Sequence, residues 1–368
     1  MYEQAKDVIR RYYDGQATEE ECIIVERWFH ELNQEKISAL SEDELFGMSD
    51  QIWDQLKPGN EVRVRRLWPQ LAAACLLLFA LSFGAYFLVS DKSGNKQNLH
   101  ASLIHPGSNK AFLTLQDGRK VSLNDSKLGT VVKGADMLVT QSERGKLSYE
   151  VKDNKANAGE FNTLNTPKGG QYAVTLSDGT KVYLNAASSV RFPVTFHGKY
   201  RQVELTGEAY FEVKHDAARP FRVVSGNQVV EVLGTHFDVK SYQDEQSINT
   251  SLIEGSVRVR LGDASILLKP GQQAANIGGE LTLTKVPAQN AIAWKDGFFR
   301  FKNDRIADIM KTLARWYDID VDFHDRIGEE RFSGQISRNK NIGDVLDVLE
   351  QTQLIHFEIS GRRVIVKK

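Results

Sequence analysis

TPKGGQYAVTLSDGTKVYLN, residues 166–185, is the stretch on which the reading of the fold turns. Apolar residues alternate along both arms and Asp178-Gly179 stands between them, so the segment reads as a β-hairpin. An Asp-Gly connection predicts a type I′ turn, with positive φ at both central positions. The same unit occurs once more upstream. HPGSNKAFLTLQDGRKVSLN, residues 105–124, aligns with it at a constant offset of 61 and without a gap. The identical pairs include Pro106/Pro167, Leu115/Leu176, Asp117/Asp178, Gly118/Gly179, Leu123/Leu184 and Asn124/Asn185. Further short strands are predicted at 190–196, 202–205, 209–214, 221–224, 228–233, 236–242, 247–253, 256–260, 264–268, 272–277 and 281–286. Gly, Pro, Asp and Asn separate most of them. Strands this short and close imply an all-β sandwich, roll or solenoid over residues 105–290. Residues 126–165 are polar and too weakly patterned to assign.

Beyond residue 294 the periodicity changes. A strand at 298–301 leads into a helix capped by Asn303 or Asp304, with Ile306, Ile309, Met310, Leu313 and Tyr317 on one face. Strands at 320–323 and 331–336 follow, then a helix from Asn341 carrying Ile342, Val345, Leu346 and Leu349. A hairpin of 356–360 and 363–367 closes a β-α-β-β-α-β-β module over 294–368. That order implies a small α+β layer with two helices on one face of a sheet. Its last strand carries Arg363, Val364, Ile365 and Val366 and has no following element to cover it. An edge position there would offer a partner backbone groups to pair with.

The N-terminal third is different in kind. Residues 67–89, LWPQLAAACLLLFALSFGAYFLV, contain no charge. As a helix this run would be about 35 Å long against a hydrocarbon core of ~30 Å, so a single transmembrane helix is expected. Arg63, Arg65 and Arg66 precede it and Asp91-Lys92 follow. Positive-inside bias places residues 1–66 in the cytoplasm and the remainder outside, with 90–104 as a polar tether. Residues 1–62 hold six Lys+Arg against fifteen Asp+Glu, a net charge of −9 that the rest of the chain, at +8, almost cancels. Such acidity opposes direct contact with nucleic acid and suits a protein partner with a basic surface. Three short amphipathic helices are expected here. The second opens on the capping box Thr18-Glu19-Glu20-Glu21, and Cys22, Val25, Phe29 and Leu32 form its stripe, widened by Trp28. Trp53 lies on the third. A modest bundle is one reading. The other is that surplus apolar surface is covered by a partner, with Val25, Trp28, Phe29 and Trp53 in contact. Both cysteines, Cys22 and Cys75, fall in these parts, so the exported region rests on packed cores without disulfides. The expected fold class is therefore multi-domain: a small all-α cytoplasmic domain, one transmembrane helix, an all-β periplasmic region and a C-terminal α+β module.

Catalytic signatures are sparse. The eight histidines are scattered without metal-ligand spacing, and neither a P-loop nor a G-x-S-x-G motif occurs. Gly169-Gly170 reads as a turn, because no helix follows it to cradle a phosphate. No cofactor, no metal and no enzymatic activity are expected.

The ordered motifs resemble those of a known family. Thr166-Pro167-x-Gly169, Leu176-x-Asp178-Gly179-Thr180, Leu205-x-Gly207-Glu208-Ala209-Tyr210-Phe211, Pro220-Phe221, Val232-x-Gly234-Thr235-x-Phe237, Glu254-Gly255-x-Val257 and Pro270-Gly271 are similar to the FecR family. Gly15, Glu19–Glu21 and Trp28 fit its N-terminal domain, and 294–368 resembles the C-terminal domain of Bacteroidetes-type members, itself similar to secretin and TonB short N-terminal domains. The resemblance implies an inner-membrane anti-sigma factor holding an extracytoplasmic-function sigma factor in the cytoplasm. Outside, it would receive the signalling domain of a TonB-dependent outer-membrane receptor, with regulated proteolysis following. It also marks Gly234-Thr235 as a candidate self-cleavage bond, with His236 adjacent to serve the Thr hydroxyl as base. A plain turn between two strands is the alternative. The rival function is a membrane-anchored periplasmic interaction or glycan-binding module without a sigma-factor partner.

Overall fold

The two Asp-Gly hairpins form, but with three-residue loops. Leu176 accepts a hydrogen bond from the Gly179 N–H (2.9 Å) and donates its own N–H to Thr180 O (2.8 Å); Leu115 does the same with Gly118 (3.0 Å) and Arg119 (2.9 Å). Only the glycines have positive φ, +86° at Gly179 and +81° at Gly118. The connection is thus a type I turn followed by a glycine bulge, and the type I′ expectation is corrected. The extra residue brings each aspartate Oδ1 within reach of the N–H after the glycine: Asp178 takes that of Thr180 (2.9 Å) and Asp117 that of Arg119 (3.0 Å).

The computed structural model describes residues 104–124, 128–133, 137–151, 159–324 and 327–368, together with Val8, Arg11 and Thr18. The architecture below belongs to the unit Gly84–Lys368. One sheet runs, in spatial order, Lys120–Ser122, Phe112–Thr114, Phe161–Thr166, Ser188–Pro193, the first half of Arg201–Glu212, Phe221–Ser225, Gln228–Val232, Val257–Leu261 and Ala264–Leu268. The other runs Gly129–Lys133, Met137–Glu143, Lys146–Val151, Gly170–Thr175, Lys181–Leu184, the second half of Arg201–Glu212, His236–Ser241, Ser247–Glu254, Gln272–Ile277 and Glu280–Lys285. Their inner faces share one core, with Phe192, Val203, Phe221 and Val259 from the first and Tyr149, Val182, Phe211 and Phe237 from the second. Tyr149 meets Phe192 edge-on across it at 5.2 Å. The result is a β-sandwich, with one copy of the repeated hairpin in each sheet.

Arg201–Glu212 joins the two sheets. The sequence pattern suggests separate strands at 202–205 and 209–214, yet the chain runs unbroken through Gly207 (φ +89°). A Cβ at that position would lie 2.4 Å from Ser188 Oγ and 2.7 Å from Ser188 Cα. Before the glycine, burial alternates; from Gly207 to Phe211 both faces are buried. The strands Gly129–Lys133, Met137–Glu143, Lys146–Val151 and Phe161–Thr166 are absent from the sequence reading. The first of these lies at a sheet edge and buries little, so the alternation that would reveal it is weak there.

The C-terminal module covers the outer face of the second sheet. Phe298–Arg305 pairs with Arg331–Ser337, while Asp320–Phe323, Arg363–Lys367 and His356–Ser360 form a separate three-stranded sheet. Two small sheets therefore replace the single layer expected. The helix Ile306–Tyr317 buries Ile306, Ile309, Met310, Leu313 and Tyr317. Its N-cap is Arg305, and Asn303, with φ +58°, lies in a bulge of the preceding strand, which corrects the expected cap. Ile342–Glu350 starts after Asn341 and buries Ile342, Val345, Leu346 and Leu349. Ile104, at the end of the stretch read as a tether, is buried in the module's core. Arg363–Lys367 is the central strand, parallel to Asp320–Phe323 and antiparallel to His356–Ser360. Arg363, Val364, Ile365 and Val366 thus present no free edge, and Val364 and Val366 are fully buried.

The expected fold class is also corrected. Among the described residues the protein is mostly β; its two longer helices, Ile306–Tyr317 and Ile342–Glu350, pack against the module's strands, and Ala288–Ala291 is a single short turn. None is long and apolar enough to cross a membrane. The helical domain expected over 1–66 and the apolar run 67–89 lie outside the described residues.

Two predictions follow from the packing. Asp178 forms a buried ion pair with Arg201 at 2.8 Å, whereas the equivalent Asp117 pairs with Arg119 in solvent at 2.6 Å. Asp178→Ala is expected to destabilise by about 3–5 kcal/mol, since it strands a buried guanidinium. Asp117→Ala is expected to leave stability nearly unchanged, because its ion pair is screened by solvent. Urea denaturation of the two variants checks the difference. Gly207→Ala, meeting both the Ser188 contact and the positive φ, is expected to lose ~2 kcal/mol or more in the same measurement.

Candidate functional site: the junction of sandwich and module

The second half of Arg201–Glu212 and the adjoining His236–Ser241 carry a row of polar residues on the outer face of their sheet. Register sets Glu208 opposite Lys240 and Tyr210 opposite Asp238. In a bare sandwich these would be solvated; here the module buries them. Asn185, last residue of the repeated unit, donates its Nδ2–H to Glu208 Oε2 at 2.6 Å. Its Oδ1 accepts from Arg338 Nη2 of the module at 2.8 Å. Arg338 also donates to Trp294 O (2.6 Å) and stacks over the Trp316 ring at 3.7 Å. The Trp294 indole N–H donates to Asp238 Oδ1 at 3.1 Å. On the flank, Arg315 holds Glu245 (2.6 Å) and Asp244 (2.8 and 2.9 Å) while its guanidinium lies 3.6 Å from the Tyr242 ring. The motif glycine Gly169 donates its N–H to Arg315 O at 2.7 Å.

Burial dominates the electrostatics. It pushes the Glu208 carboxyl up, with Lys240 and the Asn185 hydrogen bond opposing. Asp238 is raised well above the ordinary carboxylate range, by burial first and then by Glu208. Burial also lowers Arg338, to about 10, although Glu208 acts to raise it. Lys240 is raised because Glu208 and Glu245 outweigh its desolvation. A cavity of about 370 Å³ lies between sheet and module, lined by Glu208, Asp238, Lys240, Gln273, Trp294 and Arg300 among others. This arrangement holds two bodies together through a desolvated polar seam. Such a seam is sensitive to charge and displacement in a way that an apolar interface is not.

Residues singled out from sequence are distributed unevenly about this junction. Val25, Trp28, Phe29 and Trp53 lie outside the described residues. Gly234-Thr235 sits at the far end of the Arg201–Glu212 strand. The Thr235 hydroxyl donates to Ser256 O at 2.9 Å, and its carbonyl accepts from the Val213 N–H at 3.0 Å. His236 Nδ1 is 3.1 Å from Glu254 Oε2, while the side chain against Gly234 is His215, 2.7 Å from where a Cβ would stand. Among the described residues no group of three or more His, Cys, Asp or Glu side chains is placed to hold a metal ion. Sequence reasoning missed Asp238, Arg315 and Arg338. Glu208 and Asn185 were visible only as motif letters, and nothing local announces that Arg338 meets a residue 153 positions away.

The two raised carboxyls make stability depend on pH. A group whose folded pKa is raised contributes stability that is fully present below the ordinary carboxylate pKa of about 4 and is lost as pH rises through the raised value. The charges that act on the pair are Lys240 and Glu245 of the sandwich and Arg338 of the module, and Lys285, Arg300, Lys302 and Asp304 line the same cavity. Asp238→Asn retains an acceptor for Trp294 and removes one titration. It is expected to flatten the fall in Tm as pH rises above about 4 and to leave the variant the more stable of the two proteins at neutral and higher pH. Calorimetry of both proteins across that range checks it.

Residues 162–258 match the family model described as FecR protein, and residues 298–366 the one described as FecR, C-terminal. No curated protein matches the chain. Among solved structures, two crystal structures of a candidate anti-sigma factor from Parabacteroides distasonis ATCC 8503, at 1.65 and 2.50 Å resolution, are similar, each with a TM-score of 0.54. They are 30% and 29% identical, and the likeness covers 56% of this chain and 98% and 99% of theirs. The sandwich and the module docked on it are thus both accounted for, and the chain belongs to the FecR family.

Proposed function

We propose that this FecR-family anti-sigma factor sequesters an extracytoplasmic-function sigma factor through residues 1–66 and receives the signalling domain of a TonB-dependent receptor on residues 104–368. The observation that carries this reading is the presence, in one chain, of the FecR match at 162–258 and the FecR C-terminal match at 298–366. The acidity of residues 1–62 supports the sigma-factor side, because a protein that engages DNA presents basic surface. The polar junction supports the relay, since a partner that shifts the module also disturbs the Asn185, Glu208 and Arg338 contacts. In this reading residues 1–66 face the cytoplasm and 104–368 the periplasm, and the protein acts as a regulator rather than an enzyme. Arg363–Lys367 is central in its sheet, so an added receptor strand has the outer edges of Asp320–Phe323 and His356–Ser360 to pair with.

The full-length chain is expected to co-purify with a sigma factor of its own cell and to inhibit transcription from that factor's promoters. Trp28→Ala is expected to weaken this binding by ~2 kcal/mol or more, as for a buried aromatic anchor. Absence of any sigma factor from the purified complex sinks the reading, and wild-type affinity in the variant removes Trp28 from the interface.

A further inference from the structure

A second cavity, of about 240 Å³, opens where the chain passes from Ile104 in the module's core to the short strand Ser108–Asn109, which pairs parallel with Gly170–Thr175 of the sandwich. Trp294 and Trp316 wall it, and Gln171 and Asn339 bring neutral amides. Its charged lining is Lys295 and Arg338; no carboxylate lines it among the described residues. Gly107 shares this lining and lies flat on Trp316, where a Cβ would come within 2.6 Å of the ring.

Arg338 is the unusual member. It is 2% exposed and makes no ion pair among the described residues; its hydrogen-bond acceptors are the Trp294 carbonyl and the Asn185 amide oxygen. Its Nε–H has no acceptor at all among the described residues. The contrast with Arg201 is direct, because that equally buried guanidinium has Asp178 at 2.8 Å and carbonyls for its remaining donors. A buried cation held only by neutral acceptors, with one donor orphaned, is poorly compensated. Lys295 adds a second positive charge. Its Nζ lies 4.9 Å from the Tyr210 ring and 3.7 Å from Asp296, a residue half in solvent.

We propose that this cavity binds a carboxylate group, which supplies the direct ion-pair partner that Arg338 lacks and a second one for Lys295, whose present partner is the half-exposed Asp296. The Trp faces screen the Arg338 side of the cavity from solvent and strengthen the attraction there, while the Gln171 and Asn339 amides donate to the second oxygen. Because the lining comes from the 104–109 segment, the sandwich and the module, an occupant pins all three together. The carboxylate comes either from a free organic acid or from an Asp or Glu side chain of a bound polypeptide. The proposal stands apart from the sigma-factor reading.

The test titrates the full-length chain with succinate, and separately with an acetylated Gly-Glu-Gly amide, against chloride at matched ionic strength. Calorimetry and thermal denaturation are the readouts. Saturable binding with a rise in Tm is expected for at least one ligand, and Lys295→Gln should weaken it at least about tenfold. Asn339→Asp places a carboxylate at the cavity from within; it should raise Tm without ligand and abolish binding of both probes. Tighter binding of the peptide assigns the site to a polypeptide side chain, and equal or tighter binding of succinate to a free acid. No saturable binding of either, unchanged affinity in Lys295→Gln, or a lowered Tm in Asn339→Asp overturns the proposal.

Discussion

The close approach of Gly207 to Ser188 is the constraint on which the rest of the described structure depends. With no Cβ in the way, the strand Arg201–Glu212 presses against the start of Ser188–Pro193 and passes from one sheet into the other. Ser188 then serves the bend directly: its Oγ accepts the Glu208 N–H at 2.9 Å, and its own N–H donates to Thr166 Oγ1 at 3.0 Å. Thr166 in turn donates to Asn185 O at 2.6 Å. Three residues that look like separate motif letters, Thr166, Asn185 and Glu208, are thus joined with Ser188 in one knot of hydrogen bonds. It fixes where the sandwich turns and which side chains emerge on its outer face.

The outer face matters because the module lands there. On the first half of the strand, outward residues such as Gln202 and Glu204 stay in solvent; on the second half Glu208 and Tyr210 do not. Burying acids and an arginine in such a seam is less favourable than burying apolar side chains of equal volume. Two of the buried guanidiniums show the difference between a structural and a poised arrangement. Arg201 is matched by Asp178 and carbonyls, whereas Arg338 is stacked on Trp316 and left with an orphan N–H. The less satisfied seam is the place where a small displacement has a large energetic consequence.

How much of this was legible varies with how local the determining interactions are. The hairpins at 112–122 and 170–184 follow from alternation and an Asp-Gly connection, both contained within twenty residues, though the loop type was misread because the aspartate carboxylate favours three residues over two. The strands from 221 to 285 were visible for the same reason. The helical faces of Ile306–Tyr317 and Ile342–Glu350 follow from apolar spacing alone. What failed were the edge strand Gly129–Lys133, the interior strands Met137–Glu143, Lys146–Val151 and Phe161–Thr166, the continuity through Gly207, and the split of the module's strands into two sheets.

By itself, then, the sequence determined the strands from 170 onward, the helix faces, the repeat and the family motifs, because each is written in neighbours within one element's reach. It marked Gly207, Glu208 and Asn185 as notable without saying why. Only the tertiary structure decided that Arg363–Lys367 is a central strand rather than an edge, since that depends on Asp320–Phe323 arriving parallel from more than forty residues away. Likewise it alone brought Arg338 to Asn185 and Trp294 to Asp238. Those contacts join residues whose local patterns carry no trace of one another. Their pairing is set by how two separately folded cores dock, and docking is a property of surfaces that no one-dimensional period records.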